Sequence, residues 1–409
     1  MRQSVLRGPA LLALVLVAAT VAVLFWRRPD QFFAPFVWAE ESVIVQGYAE
    51  RGWASILEPI QGQHVFATRL VTTLALQLSF ARAPYFAVWI TVAFTCLVVL
   101  AVVFSPTHLR LRSLCALAVL LVPTDAEVFA VALYVFWWAG ILLFLALLWD
   151  RGLPWLRAGY IVLGGLSSPL IGPVAILLAA RATLERTGIS LCMALLSVGL
   201  AAVQAGTAYF YMTNTGELPS DIALLNTAVA RFIGFFYFGS GWLPDRYSLL
   251  GYVMLAAFSI AVWVGRDRLD RYFLLLVLMW GAVCALAAVR VPIANLHPFL
   301  AGPRYFFYPF LLMTWAGLWI AAVSGPIVKS IIAAAYIAAV WFAVSYETNN
   351  KYLGFTRRHD LVDWSAHAKR CAQSEKYVMP IHTIGDANVL WPREMTGAQC
   401  RALLEKSLF

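Results

Sequence analysis

A chain of 409 residues in which 62% are hydrophobic and 12% are charged has too little polar surface to cover a soluble globule of that size. Its mean hydropathy of +0.78 therefore predicts a polytopic membrane protein. The net charge of +9 comes from short basic clusters between apolar stretches, which is typical of helix orientation signals and argues against nucleic acid as a partner.

The first apolar stretch, at 8–26, begins like a signal peptide, because Arg2 and Arg7 precede it. Arg27 and Arg28 then follow where a cleavage site of small residues would be needed. We therefore expect an uncleaved first membrane span.

Eleven stretches are predicted to cross the membrane, and two of them, 109–124 and 157–168, are short and end at Pro123 and Pro169. Half-depth helices with polar ends are tolerated where they line a cavity, so we predict a cavity in the outer half of the bundle. The predicted crossings are 8–26, 84–105, 109–124, 130–149, 157–168, 169–182, 189–211, 247–264, 272–289, 305–323 and 327–346.

The basic residues of the short loops orient these crossings with the N-terminus in the cytoplasm. Arg27 and Arg28 are exceptions, because they then fall outside. The stretch 64–80 also lies outside, as an amphipathic or interfacial helix on the outer leaflet, unless it crosses and the later loops lose their bias. The basic residues predicted for internal loops are Arg110, Arg112, Arg151, Arg157, Arg181, Arg186, Arg266, Arg268, Arg271 and Lys329.

The sequence thus predicts an all-α membrane protein with about 11 transmembrane helices in a domain at 1–346. Residues 27–83 form the first outer loop, which contains interfacial helices. The mixed acidic and basic tail at 347–409 indicates a small ordered cap on the same, outer side. Cys371 and Cys400 lie in this tail, and a disulfide between them is compatible with an outer location.

Glu40 and Glu41 stand side by side soon after the first crossing. Two adjacent carboxylates at a membrane surface lose solvation and repel each other, so chance placement is unfavourable. One carboxylate can accept a proton as general base, and the second can bind a cation or tune the first. The alternative is an acidic pair at the membrane interface that neutralises the charge of Arg27, Arg28 or Arg69.

Other polar residues of the predicted outer face could hold a phosphate. Arg69 lies five residues after His64 amid apolar residues, and its planar fork matches two phosphate oxygens. Snorkelling to the lipid headgroups is the alternative. Asp125 and Glu127 share the short turn after Pro123, where they could support the site, bind a cation or cap the next helix.

The last long outer loop runs from Arg290 to Arg304 and contains His297. Arg304 and Tyr305 open the next crossing, and a cation beside a phenol suits a lipid-linked phosphate that enters from the outer leaflet. An aromatic-belt anchor with a snorkelling arginine is the alternative. Trp137 and Trp138 either stack on sugar rings or belong to the same belt.

Several classes of function lack their essential motifs. No Walker loop, GxGxxG helix start, HExxH or Ser-His-Asp order is present, which argues against a nucleotide-driven pump or a metalloprotease. Acidic residues are almost absent from the middle of the crossings, which argues against an ion-coupled transporter.

The pattern resembles the membrane glycosyltransferases of the GT-C type. The resemblance covers most of the chain, and the acidic pair carries most of it. The matching segments are Trp38-Ala39-Glu40-Glu41, the stretch from Gly62 through His64 to Arg69, Pro123-Thr124-Asp125-Ala126-Glu127, Leu166-Ser167-Ser168-Pro169, Gly302-Pro303-Arg304-Tyr305 and the outer C-terminal segment.

The resemblance implies a sugar transfer, usually with inversion, on the periplasmic face of a bacterial inner membrane. The donor is a polyprenyl-phosphate sugar, the acceptor is a glycan or glycolipid, and membrane lipids surround the enzyme. An outer-loop carboxylate acts as base, and some members require a divalent cation such as Mg²⁺ or Mn²⁺. The usual motif contains at least one Asp, whereas this chain has two Glu, so the choice between them stays open.

Carried over to this sequence, the resemblance gives Glu41 as the base and Glu40 as its orienting partner or, with Glu41, as a metal ligand. Four residues are expected near the donor phosphate and four more near the sugar or lipid. The phosphate group comprises Arg304, Arg69, His64 and Arg290, and the sugar or lipid group comprises Tyr305, His297, Trp38 and Trp138.

Two other functions stay open. A lipid-linked oligosaccharide flippase or transporter has a similarly apolar helical body, but it should show paired internal repeats, and none are evident here. An O-antigen polymerase or ligase also handles lipid-linked glycans through arginine-rich outer loops. The acidic pair directly after the first crossing favours the glycosyltransferase.

Overall fold

The computed structural model describes residues 7–38, 40–211, 216–238, 246–349, 363–379 and 393–409. It is mostly helical (77%) with very little sheet. In chain order the elements are α1 (Arg7–Arg27), α2 (Pro29–Phe33), α3 (Glu41–Arg51), α4 (Phe66–Leu78), α5 (Ala83–Phe104), α6 (Arg112–Leu120), α7 (Val135–Leu147), α8 (Pro154–Gly165), α9 (Ile171–Glu185), α10 (Gly188–Tyr211), α11 (Ile222–Val229), α12 (Phe235–Phe238), α13 (Tyr247–Gly265), α14 (Arg271–Arg290), α15 (Arg304–Val323), α16 (Pro326–Asn349), α17 (Trp364–Gln373), β1 (Lys376–Met379), β2 (Arg393–Thr396) and α18 (Gly397–Lys406).

Among the described residues, seven helices are long and apolar enough to cross a membrane, as a multi-pass membrane protein requires. They are α1, α5, α10, α13, α14, α15 and α16, and each coincides with a predicted crossing. The other four predicted crossings contain the shorter helices α6 to α9, of 9, 13, 12 and 15 residues. The predicted count of about 11 is therefore not confirmed.

Of these short helices, α7 is enclosed by protein, whereas α6, α8 and α9 each keep exposed apolar side chains. Nearly every residue of α7 is buried, and this helix packs against α4, α5, α8 and α9. At about 1.5 Å per residue, α7 is about 20 Å long, which is shorter than a hydrocarbon layer of about 30 Å. Hydropathy alone does not distinguish such a buried core helix from a crossing.

Contacts between helix termini divide the bundle into two ends, which we name the upper end and the lower end. At the upper end, the end of α1 meets the end of α6, and the start of α15 meets Glu127. At the lower end, the backbone N–H of His108 donates to the oxygen of Leu148 at 2.9 Å, and Arg268 donates to Val323 at 2.9 Å. The ten basic residues predicted for internal loops all belong to lower-end connections or helix ends.

Arg27 and Arg28, the exceptions to the charge pattern, are buried at the upper end. The guanidinium of Arg27 lies 4.0 Å from the ring centroid of Phe129, and Arg28 pairs with Asp30 at 2.8 Å. Both donate hydrogen bonds to backbone oxygens at the end of α6 and in the segment that follows it, a region where carbonyl groups favour a cation. These oxygens belong to Leu120, Val122, Thr124, Ala126 and Phe129.

The stretch 64–80 contains α4, which is too short to cross a membrane. Most of its side chains are buried in protein, which gives α4 more protein contact than the interfacial helix that the sequence predicts. The hydroxyl of Thr68 donates to the backbone oxygen of Leu133 at 2.7 Å, and the N–H of Ala67 donates to Ser167 at 3.0 Å. The first outer loop is thereby held against the α8–α9 connection and the segment before α7.

The described part of the C-terminal tail forms a small cap from α17, α18 and the antiparallel pair β1–β2. A disulfide joins Cys371 to Cys400 inside the cap. The indole N–H of Trp364 donates to the backbone oxygen of Phe80 at 2.7 Å, and the N–H of Leu408 donates to that of Gln77 at 3.1 Å. The cap therefore covers α3 and α4 at the upper end.

Candidate functional site

A cavity of about 150 Å³ lies at the upper end, between the first outer loop, the start of α7, the α8–α9 connection and the facing helices α14 and α15. It combines one carboxylate, two arginines, two amides, a serine hydroxyl and several aromatic rings, three of which belong to tyrosines. The polar and aromatic lining residues are Glu40, Gln61, Gln63, Tyr134, Phe136, Trp137, Ser168, Arg290, Arg304, Tyr305 and Tyr308.

Glu40 is the carboxylate of this cavity. It is half-buried at the start of α3, and its Oε2 atom is inaccessible to solvent and accepts no hydrogen bond from the described residues. Its charge interacts with Arg304 and with the Tyr134 hydroxyl. A buried carboxylate oxygen without a donor is costly, so an oxygen in this position indicates a ligand that supplies one.

Glu41 faces away from the cavity and is almost fully buried. Its Oε2 accepts the backbone N–H of Trp38 at 2.6 Å, and its Oε1 accepts the hydroxyl of Thr72 at 3.2 Å. Burial raises the pKa of Glu41 to about 7, against the effect of these two hydrogen bonds. The geometry therefore gives Glu41 a role in joining α3 to α4, and the cavity carboxylate is Glu40.

Glu40 and Glu41 point in different directions because they occupy adjacent positions at the start of a helix. With 3.6 residues per turn, neighbouring side chains point about 100° apart and do not face the same partner. Glu40 lines the cavity whereas Glu41 faces a separate small space between α3, α4 and α5, so the pair does not fit a shared Mg²⁺ or Mn²⁺ ion. Within the described ranges, no cluster of three or more His, Cys, Asp or Glu residues could hold a metal.

Arg304 is held in place by Glu127, which is fully buried. Glu127 forms an ion pair with the Arg304 guanidinium and also accepts the backbone N–H of Arg304 at 3.0 Å. The Tyr134 hydroxyl donates to the same carboxylate at 2.6 Å. Glu127 thus orients an arginine rather than binding a cation, while the N–H of the nearby Asp125 joins two upper-end segments by donating to the backbone oxygen of Pro298 at 2.8 Å.

Aromatic residues form one wall of the cavity. The Trp137 ring lies 4.6 Å from that of Tyr308 and 6.2 Å from that of Tyr305, centroid to centroid. The indole N–H of Trp137 is buried and has no acceptor among the described residues. Trp138, which the sequence placed at the sugar, is instead buried away from the cavity and donates to the Val128 oxygen at 2.9 Å.

Tyr308 is positioned by a close approach of α15 to α7. Its hydroxyl donates to the backbone oxygen of Trp137 at 2.6 Å, directly beside Gly140. A Cβ atom at position 140 would lie 2.0 Å from that hydroxyl oxygen, so only glycine fits here. The sequence showed no signal for this contact, because a glycine in an apolar helix is ordinary.

Two amide side chains enter the cavity from a tight turn. Ile60 and Gln63 exchange backbone hydrogen bonds of 2.8 and 3.0 Å around Gln61 and Gly62, whose φ angles are 47° and 79°. Positive φ at both central residues is the pattern of a type I′ turn, for which glycine is suited at the second position. The turn presents Gln61 and Gln63 to the cavity, although no motif in the sequence points to either residue.

Arg69 and His64 lie outside the cavity lining. Arg69 is buried, donates to the backbone oxygen of Ser55 at 2.9 Å and lies 3.7 Å from Glu58. The His64 Nε2 atom is 3.0 Å from the hydroxyl of Thr207 on α10. Both residues therefore hold the first outer loop in place, and neither is positioned to contact a phosphate in the cavity.

His297 and Trp38 also contribute to structure beside the cavity. The Nδ1 atom of His297 accepts the backbone N–H of Phe299 at 3.1 Å. Burial, with the nearby charge of Arg231, lowers the pKa of His297 to about 4, so the ring is neutral at pH 7 and offers no cation to a phosphate. The Trp38 ring packs edge-on against Tyr134 at 5.6 Å and supports the cavity from behind.

The sequence matches no protein-family model and no curated protein, and the fold matches no solved structure. The chemistry of the cavity is therefore the basis for assigning a function. A carboxylate that lacks a donor faces two arginines across a space lined by amides and aromatic rings. Such a set can take a proton from a hydroxyl and can neutralise an anionic leaving group.

Proposed function

We propose that this protein transfers a sugar from a polyprenyl-phosphate donor to a glycan or glycolipid acceptor at the upper end of the bundle. The observation that carries the proposal is the unpartnered, buried Oε2 of Glu40 in a cavity that Arg290 and Arg304 also line. An acceptor hydroxyl supplies the donor that this oxygen lacks. The same contact prepares the hydroxyl for loss of its proton.

The reaction needs one base and one cationic region. The acceptor oxygen forms a bond to the anomeric carbon while the bond from that carbon to the phosphate oxygen breaks. The hydroxyl proton passes to Glu40, and the electron pair of the broken bond stays on the phosphate, beside Arg290 and Arg304. Attack from the face opposite the phosphate inverts the anomeric carbon. Neutralising the leaving group lowers the barrier, so the two arginines act where negative charge accumulates.

The lining also suits a sugar ring. The volume of about 150 Å³ corresponds to about five water molecules at roughly 30 Å³ each, which is enough for a single sugar unit. Gln61, Gln63 and Ser168 offer donors and acceptors for hydroxyl groups, and Trp137 offers a ring face and a free indole N–H. Apolar residues of α14 border the cavity, so a prenyl chain can leave it towards the membrane.

We further propose that the upper end faces the periplasm of a bacterial inner membrane and that the N-terminus is cytoplasmic. The basic residues of the lower-end loops support this orientation, because cytoplasmic loops collect Lys and Arg. The disulfide in the cap supports it independently, since disulfides persist in the oxidising periplasm. Donor and acceptor then both approach from the outer leaflet.

The deciding experiment measures transfer of radiolabelled sugar from a panel of polyprenyl-phosphate sugars by the purified protein in liposomes. Glu40→Gln should lower kcat by about 100-fold or more, the range expected for loss of a general base. Glu405→Gln, which changes an exposed glutamate on the cap, should leave turnover unchanged. Both variants should bind donor lipid like the unmodified protein.

Two results would contradict the proposal. Full turnover of Glu40→Gln together with an inactive Glu41→Gln would return the base to Glu41. No turnover of the unmodified protein with any donor, despite tight lipid binding, would remove glycosyl transfer and favour a flippase or a polymerase.

A further inference from the structure

A second and larger cavity, of about 620 Å³, lies at the lower end and is unrelated to the site above. It separates α13 from α14, although only the residues 266–270 connect these two helices. Over its length α13 packs mainly on the 222–234 segment and α15, and it touches α14 at few points. The walls and floor include Met254, Phe258, Val262, Phe273, Val277 and Met313.

The cavity is a half-open groove between two helices that are long and apolar enough to cross a membrane. Water does not fill this cavity well, because a buried water needs two to four polar partners and the walls are apolar. In a membrane, an apolar molecule therefore fills the space.

The dimensions suit a single hydrocarbon chain. Along α14 the cavity extends from Arg271 to Trp280, nine residues or about 14 Å at 1.5 Å per residue. An extended acyl chain fits along this length between the two helices.

The charged residues at the opening of the cavity indicate which kind of lipid headgroup can bind there. Arg266 and Arg271 line the lower opening, and their side chains are 57% and 53% exposed. Their acidic neighbours Asp267 and Glu185 are 3.8 and 3.9 Å away, which makes weak pairs that a stronger ligand can replace. Asp270 also lines the opening, but its carboxylate already caps α14 by accepting the N–H groups of residues 272 and 273.

We propose that this cavity binds one anionic phospholipid, with an acyl chain between α13 and α14 and its phosphate on Arg266 and Arg271. The planar forks of the two arginines match phosphate oxygens. The lipid adds to the packing of α13, few of whose residues are buried. This site takes no part in the proposed sugar transfer, so either proposal can fail without the other.

The test is native mass spectrometry of the purified full chain in detergent, titrated with phosphatidylglycerol or with phosphatidylcholine of the same acyl chains. One phosphatidylglycerol should bind about tenfold more tightly than phosphatidylcholine, because the choline cation of phosphatidylcholine neutralises its phosphate and is repelled by the two arginines. The double variant Arg266→Gln/Arg271→Gln should lose this preference. Arg151→Gln, which changes a 91% exposed arginine at the same end, should keep it.

A filling variant tests the apolar part of the site separately. Ala316→Trp places a large side chain on the floor of the cavity and should abolish tight binding of both lipids. Equal affinity for the two lipids in the unmodified protein would overturn the proposal, as would unchanged binding in the double variant. A dimer that Ala316→Trp converts to a monomer would also overturn it, because the occupant would then be a second copy of this chain. If Ala316→Trp does not fold, the double variant decides alone.

Discussion

Replacing Glu41 by Gln should change the pH dependence of stability in a direction opposite to that of most acidic residues. In the folded protein, burial raises the pKa of Glu41 from 4.5 to about 7. The folded state therefore binds more protons than the unfolded state between these two values, and the free energy of unfolding falls as the pH rises through that window. The difference between the two pKa values corresponds to about 3 kcal/mol, at roughly 1.4 kcal/mol per pH unit.

Glutamine has the same shape and stays neutral, so the variant should not lose this free energy. Its amide can still accept the N–H of Trp38 or bond to Thr72, because its oxygen and nitrogen replace the two carboxylate oxygens. Glu41→Gln should therefore match the unmodified protein near pH 4.5 and exceed its stability by about 3 kcal/mol above pH 7.5.

The assay is chemical or thermal unfolding in detergent at half-unit steps from pH 4.5 to 8.5. Glu50→Gln, which changes an exposed glutamate on the same helix, serves as control and should leave the profile unchanged. A Glu41→Gln profile parallel to that of the unmodified protein would refute the reasoning, because Glu41 would then titrate alike in both states. Lower stability of Glu41→Gln at pH 8 would show that the ionised carboxylate is favoured.

Two further predictions concern the cavity wall and the cap. Gly140→Ala should displace the Tyr308 hydroxyl, which should lower the stability of the protein by about 1–3 kcal/mol and reduce its turnover. The control Gly159→Ala adds a methyl group in open space and should be at least as stable as the unmodified protein. Equal melting temperatures of the two variants would contradict the contact between Gly140 and Tyr308. Reduction of the Cys371–Cys400 disulfide should destabilise the cap by about 2–4 kcal/mol. Proteolysis of residues 363–409 should then be faster than in the oxidised protein. An unchanged cleavage rate would mean that contacts with α4 alone hold the cap.

The sequence located the acidic pair, Arg290, Arg304 and Tyr305, all of which lie at the upper end of the bundle. Residue type and position relative to an apolar stretch were enough to select them. Direction was not available, because the orientation of a side chain depends on the φ and ψ angles of its helix start. Glu40 therefore lines the cavity where the sequence suggested Glu41, and Trp137 lines it where the sequence suggested Trp138.

The four short helices were predicted as crossings for a related reason. Hydropathy records that a segment avoids water, but it does not record whether lipid or protein surrounds it. α7 is apolar on every side because α4, α5, α8 and α9 enclose it. Its length is the better signal, since a helix of 13 residues leaves its ends inside the hydrocarbon layer unless protein contacts them.

The two buried arginines after α1 have a consequence for the assembly of the protein in the membrane. Their acceptors lie 93 to 101 residues later in the chain. At a synthesis rate of about 5–20 residues per second, those oxygens emerge roughly 5–20 s after the arginines do. During that interval Arg27 lacks these acceptors, and Arg28 has only its neighbour Asp30. We therefore expect the upper end of α1 to complete its hydrogen bonds only after the end of α6 has been synthesised, so that the order of synthesis takes part in the assembly of the bundle.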